Sequence, residues 1–269
     1  MLNVKLVIYE HEGGYTMIPV RVRNVEIGTG KPKICVSNIG VTKEEILSLT
    51  KKYTDISMDV MEWRVDWYED VIDTAKVIET AKEIREILGE IPFLFTFRTS
   101  KEGGNFQLSD EDYRNLNIAA AESGHVDIVD VEIFTGDDIV IDMIEKIHAA
   151  GAKIIASNHD FDGTPSQSDI VYRLRKMQDM GADIPKIAVM PQCKKDVITL
   201  LAATEEMSTN FATQPIITMS MAAQGSISRL SGEYFGSALT FGAGEAASAP
   251  GQISAEKLNE VLTIINNSL

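Results

Sequence analysis

Short apolar runs alternate along this chain with longer stretches whose apolar residues recur at helical spacing. Strand character is predicted for Ile34–Ser37, Val60–Asp66, Phe93–Thr99, Ile128–Phe134, Lys153–Asn158, Lys186–Met190, Ile216–Met221 and Ala238–Gly242. Helices are predicted between them over Lys43–Lys52, Ile72–Leu88, Asp110–Ser123, Asp138–Ala150, Ser168–Met180 and Lys195–Asn210, with Ser254–Asn267 closing the chain. Before the last strand, Ile227–Tyr234 leaves room only for a short helix. Alternating β and α units imply a parallel sheet with helical crossovers, and eight of them suit a closed (β/α)8 TIM barrel. Ahead of the first barrel strand, Ile18–Glu26 alternates with period two, the pattern of a hairpin closing the bottom of the barrel.

A doubly wound sheet is the rival architecture, but its dinucleotide fingerprint is missing. Gly28-Thr29-Gly30-Lys31 has neither Walker nor GxGxxG spacing and reads as a turn. No repeat, low-complexity tract or Pro/Gly/Ser-rich linker divides the chain, so one barrel domain over residues 1–269 is expected. Residues 1–16 read as an N-terminal extension, with Met17 as an alternative start.

Side chains on a strand alternate faces, which puts Glu62, Arg64 and Asp66 on one face and Met61, Trp63 and Val65 on the other. Leu94, Thr96 and Arg98 are likewise in phase against Phe93, Phe95 and Phe97, and Asp130 and Glu132 against Val129 and Val131. The apolar faces suit the surrounding helices, so the polar sets converge inside the barrel. Ionisable residues there need partners, and those at the C-terminal strand ends are usually catalytic in this architecture. A buried ion pair that merely fixes the interior accounts for Glu62 and Arg64 equally well.

Composition narrows the function. The chain has 269 residues, 44% of them hydrophobic and 24% charged, as in ordinary globular proteins. Its formal net charge of −15 disfavours non-specific binding to nucleic acid or to anionic membranes. No apolar run approaches the ~18 residues of a membrane span, and no signal-peptide pattern opens the chain. Cys35 and Cys193 make no disulfide framework, which points to a reducing, cytoplasmic setting. An anionic substrate would require a local arginine cluster to reverse the field.

Lys186 stands out inside the apolar run Ile184–Pro191. Burying an ammonium is costly unless it is paired, and burial beside arginines lowers its pKa, making Lys186 a candidate Schiff-base lysine. His159 follows Ser157 and Asn158 where the fifth strand reaches the barrel rim, which suits general acid/base chemistry. His11, His125 and His148 suit solvated or capping roles. Arg229 follows Gly225 after the seventh strand, where it is expected to open a short helix in a region that often binds anions. Glu102 precedes Gly103 and Gly104, whose freedom permits a tight loop carrying a carboxylate over the site. A simple turn explains these residues as well. No metal-binding spacing is present, so metal-free chemistry is expected.

The runs Glu62-Trp63-Arg64-Val65-Asp66, Phe95-Thr96-Phe97-Arg98 with Lys101-Glu102-Gly103-Gly104, Ser157-Asn158-His159-Asp160-Phe161, Ile184–Pro191 and Ser248-Ala249-Pro250-Gly251-Gln252 together resemble type I 3-dehydroquinate dehydratase, from about Met17 to the C-terminus. The resemblance implies a homodimeric (β/α)8 barrel that converts 3-dehydroquinate into 3-dehydroshikimate with loss of water in the shikimate pathway. It implies a covalent imine on Lys186, proton transfer by His159, and Glu102 supporting the histidine. It places Glu62, Arg64 and Arg98 around the substrate hydroxyls, Arg229 on the carboxylate, Ser248 and Gln252 on a closing loop, and, as a weaker match, Ser37 in the pocket. Residues 1–16 and Ala222-Ala223-Gln224 depart from the family pattern. Two other readings remain: a different Schiff-base barrel of the class I aldolase kind, and a non-catalytic metabolite-binding barrel in which Lys186 and the carboxylates form a structural network.

Overall fold

The computed structural model describes residues 17–245 and 251–269. Its first elements are two antiparallel strands, β1 (Val20–Val22) and β2 (Val25–Ile27), the hairpin expected from the alternation there. Eight parallel strands follow: β3 (Lys33–Asn38), β4 (Val60–Arg64), β5 (Phe93–Thr96), β6 (Ile128–Glu132), β7 (Lys153–Asp160), β8 (Ile184–Val189), β9 (Ile217–Ser220) and β10 (Leu239–Gly242). They pair in chain order, and β10 pairs with β3. The seam between β9 and β10 is held by a parallel bridge from Ile216 to Ser237 and by the Ala238 N–H donating to the Ile216 carbonyl at 2.8 Å. The result is a nearly closed (β/α)8 barrel.

Helices α1 (Lys43–Tyr53), α2 (Thr74–Leu88), α3 (Asp110–Glu122), α4 (Asp137–Ala149), α5 (Gln167–Asp179) and α6 (Lys194–Asn210) form the crossovers. Their starts are set by side chains that satisfy the free N–H groups of a first turn. Thr42 and Glu45 make a reciprocal capping box on α1, and Asp73, Ser109 and Ser166 cap α2, α3 and α5. The last crossover is short, as the sequence requires: α7 (Ser226–Leu230) and α8 (Gly232–Phe235) precede β10, and α9 (Ala255–Asn266) ends the fold.

Three strands stop two or three residues earlier than their apolar runs suggest. β4 ends at Arg64 and β6 at Glu132, each giving way to a single 3-10 turn, Val65–Trp67 and Ile133–Thr135. Val65 and Ile133 remain buried in those turns, so hydrophobicity persists after the strand geometry has ended. β5 ends at Thr96, although Phe97 stays in the core and Arg98 stays inside. β7 runs longer than expected, to Asp160, so His159 is a strand residue, paired in register with Ala188.

Period-two phasing divides the core into two. Met61, Trp63, Phe93, Phe95, Phe97, Val129 and Val131 pack outward against the helices, Trp63 meeting Phe95 edge-on at 5.8 Å between ring centroids. Inside the barrel, Cys35, Val60, Leu94, Ile128, Ile155, Ile184, Ile217 and Leu239 make an apolar floor with Val20, Val22 and Ile27 of the hairpin. The hairpin is tied down by Arg23, which bonds Asp127 at 2.6 Å, and Asp127 also receives Arg85 at 2.7 Å. Above this floor the same inward positions become polar, and that change defines the site.

Candidate active site

One step along the strands from the apolar floor, Ser37, Glu62, Thr96, Asp130, Ser157 and Lys186 point into the barrel. Glu62 accepts hydrogen bonds from the Ser37 hydroxyl and, at 2.9 Å, from Thr96. Lys186, only 3% exposed, is paired: its Nζ lies 3.1 Å from Asp130 Oδ2 and 4.6 Å from the centre of the Phe241 ring. Asp130 also receives Ser157 at 2.6 Å and Arg98 at 2.8 Å. Complete burial alone would raise the Asp130 carboxyl, but Arg98 and Lys186 outweigh it and hold the group below its ordinary value. A buried lysine with a counter-charge, rather than the isolated one suggested by the apolar run, is thus fixed in position and aimed by a carboxylate two strands away.

A second tier lies nearer the mouth. Arg98 donates to Glu132 at 2.9 Å and to Ser157 at 2.9 Å, and lies 3.7 Å from Glu102. Glu132 also accepts the Thr99 backbone N–H at 2.8 Å and its hydroxyl at 2.6 Å. Arg64 is held bidentately by Asp66 at 2.7 and 2.8 Å. Asp66 lies in the 3-10 turn rather than on the strand, and there its carboxylate also accepts backbone N–H groups of Arg98 and Asn105. The strand phase therefore fails for Asp66, which braces Arg64 instead of standing beside it.

Glu102 sits on the turn after β5. Its Oε2 is 2.9 Å from His159 Nδ1 and also accepts the His159 backbone N–H at 2.9 Å, while Oε1 accepts Asn158 Nδ2 at 3.1 Å. Burial, with Arg98, Lys186 and Arg64 around it, pushes the His159 imidazole well below its usual value, so the ring is neutral at physiological pH. Burial and the nearby Glu132 push Glu102 the other way, up to about 8. Glu102 therefore becomes a carboxylate beside the imidazole only as the pH approaches that value.

Arg229 does not open α7. It is the fourth of five residues, so its side chain, not a helix N-terminus, faces the cavity. It is 1% exposed, and burial pulls its guanidinium down to about 10. Nη1 reaches only Met219 Sδ at 3.7 Å, and Nε and Nη2 have no partner among the described residues. A buried fork of unpaired donors is suited to a planar carboxylate.

The principal groups border one cavity of about 140 Å³. Its walls include Ser37, Glu62, Arg64, Arg98, Glu102, His159, Lys186, Arg229 and Gln252. Ser248 lies outside the described residues. The other histidines do not line it: His148 pairs with Asp183 at 2.7 Å on the exterior, His125 follows the turn after α3, and His11 is outside the described residues. Asp130 is the partner that sequence reasoning passed over, although it shares its phase with Glu132. Ala188, Met219, Met221, Phe161 and Phe241 supply the apolar part of the wall and carried no signal beyond their strand or loop positions. Among the described residues no cluster of three or more His, Cys, Asp or Glu is arranged to hold a metal, and no helix is long and apolar enough to cross a membrane.

Residues 34–268 match the family model for type I 3-dehydroquinase. The chain is 53% identical over 252 residues to the 3-dehydroquinate dehydratase of Salmonella agona, covering 94% of this chain and 100% of the relative. It is 49% identical over 250 residues to that of Clostridium botulinum, covering 93% and 98%. Among solved structures, a type I 3-dehydroquinate dehydratase from Clostridium difficile carrying covalently modified comenic acid superposes with a TM-score of 0.92 at 49% identity, covering 94% of this chain and 100% of the other.

Proposed function

The chain belongs to the type I 3-dehydroquinase family, and from that premise we propose how its own residues carry out the reaction. The activity is that of a hydro-lyase of the shikimate pathway, removing water from 3-dehydroquinate to give 3-dehydroshikimate. The observation that carries the residue assignment is that one cavity holds a buried lysine, a partly buried imidazole and a buried guanidinium with donors unpaired among the described residues.

Lys186 attacks the ring ketone, and the carbinolamine loses water to give an iminium that draws electrons from the adjacent carbon. His159, through the imidazole nitrogen that does not face Glu102, removes the neighbouring proton. The resulting enamine expels the ring hydroxyl, His159 returns its proton to the departing oxygen, and water hydrolyses the conjugated imine to free Lys186 and product. One water leaves overall, because that lost in forming the imine is regained in its hydrolysis. Asp130 positions the amine. Its carboxylate also gives the proton on the attacking nitrogen a near acceptor. Arg229 binds the substrate carboxylate, while Glu62, Arg64, Arg98, Ser37 and Gln252 are assigned to the hydroxyls and ring, with Ser248 assigned by family pattern alone. The family works through an imine without a metal, and the same reading carries a cytoplasmic homodimer, which sedimentation of the purified protein tests.

Borohydride reduction in the presence of 3-dehydroquinate traps the imine. The wild-type chain is expected to gain the mass of the reduced adduct, and Lys186→Ala to gain none; an adduct on that variant would overturn the assignment. His159→Ala should still form adduct while losing the ultraviolet signal of the product enone.

A further inference from the structure

Glu102 is gripped from behind as well as from the cavity. His159 faces into the barrel, so its strand neighbour Asn158 faces outward, toward α5. Asn158 Nδ2 donates to Glu102 Oε1 at 3.1 Å, and Arg173 Nη1 on α5 donates to Asn158 Oδ1 at 2.9 Å. An amide presents an acceptor at one end and donors at the other, and its two ends differ little in shape. Arginine can only donate, so Arg173 fixes the acceptor end toward itself and leaves the donor end on Glu102. We propose that Asn158 and Arg173 form a positioning relay that keeps a hydrogen-bond donor on Glu102 and thereby favours the tautomer of His159 whose free nitrogen faces the substrate.

The physical reason lies in which form of Glu102 each amide orientation favours. A donor on Oε1 stabilises the carboxylate. The carboxylate takes the hydrogen on His159 Nδ1, and the other ring nitrogen keeps its lone pair. A flipped amide would present an oxygen, favour the carboxylic acid, and leave Nδ1 as the acceptor, so that the substrate-facing nitrogen would carry the hydrogen and could not act as a base. The surrounding charges do not make this choice alone. Glu132 and Asp130 from β6 oppose ionisation of Glu102, and Arg98 favours it. His159 feels Arg98, Lys186 and Arg64. Tyr113 of α3 is occupied as acceptor for the Glu132 N–H, and Lys101 and Asp110 pair with each other at 3.7 Å. Arg173 is anchored by Asp160 at 3.1 Å and Asp169 at 2.8 Å, and shares the Phe134 ring with Lys176. Its reach to Asn158 is therefore preset.

The relay rests on the reading of His159 as the base, and pH profiles of kcat/KM separate the two. Asn158→Leu removes the donor and is expected to move the ascending limb up by about one pH unit, so that the loss at pH 7 exceeds that at pH 9.5 by about tenfold. Arg173→Met should shift the limb in the same direction, Arg173→Lys should restore it, and the double variant should match Asn158→Leu, because one residue acts through the other. A loss equal at every pH, or additive shifts in the double variant, would overturn the relay. Should Asn158→Leu fail to fold, the contrast between Met and Lys at position 173 decides the matter. Full turnover by His159→Ala would instead remove the base assignment on which the relay depends.

Discussion

Arg229 carries a charge at 1% exposure with two of its nitrogens unpaired among the described residues. An uncompensated buried charge is a cost to the empty protein that a bound carboxylate repays. Arg229→Met should therefore lower kcat/KM for 3-dehydroquinate by about 10- to 100-fold, chiefly through KM, while the unliganded protein melts no lower than wild type. A lower melting temperature with unchanged KM would make it a structural residue. Glu102 gives a second prediction. Burial and Glu132 raise its pKa to about 8, and the fraction still protonated would donate to His159 Nδ1 and leave a hydrogen on the substrate-facing nitrogen. As the pH rises through that value the base is uncovered, so kcat/KM should climb about tenfold per unit and then level. Glu102→Gln, which cannot ionise, should lose that rise, and an unchanged profile would assign the titration to another group. Asp130 marks the limit of what single residues disclose. Its inward phase was legible in Asp130-Val131-Glu132, but its pairing with Lys186 depends on barrel register across the intervening β7, which no local pattern encodes.

At the scale of elements, the apolar runs located every barrel strand because inward and outward positions alternate regardless of distant contacts. They misjudged the strand ends because Val65, Phe97 and Ile133 stay buried after the chain has turned. Those turns matter to the site. The 3-10 turn after β4 swings Asp66 back onto Arg64, and the loop after β5 brings Glu102 over His159. In that loop Gly103 has φ +85°, and a Cβ on Gly104 would stand 1.8 Å from the Arg98 carbonyl oxygen. Gly104→Ala must therefore displace the loop and Glu102 with it. Misplacing a catalytic group by about an ångström can cost roughly 100-fold in rate. Gly104→Ala is expected to lose activity on that scale while Lys186 still forms borohydride-trapped adduct. Wild-type kinetics would show that the loop yields without moving Glu102.

Taken whole, the barrel separates stability from chemistry along its axis. The interior passes from an apolar floor sealed by the hairpin, through a tier where Lys186 and Arg98 meet Asp130, to a cavity that Arg229 borders. With Arg229 assigned to the substrate carboxylate as proposed, this order lets a chain of net charge −15 receive an anion. Its interior carboxylates are engaged by hydroxyls and by Arg98, while the guanidinium whose Nε and Nη2 have no partner among the described residues borders the cavity. The hairpin was legible from its alternation, but not its packing partners, since the floor is built from eight strands spread over the whole chain. If the layers are independent, a cavity cut into the floor should weaken the fold without touching the reaction. Ile27 is fully buried there, and Ile27→Ala should cost about 2–5 kcal/mol in urea unfolding. Its kcat/KM should stay within about twofold of wild type, because sites without shared partners contribute independently. A large kinetic loss at full occupancy of the folded state would mean that the floor sets the position of Lys186, binding the two ends of the barrel into one mechanical unit.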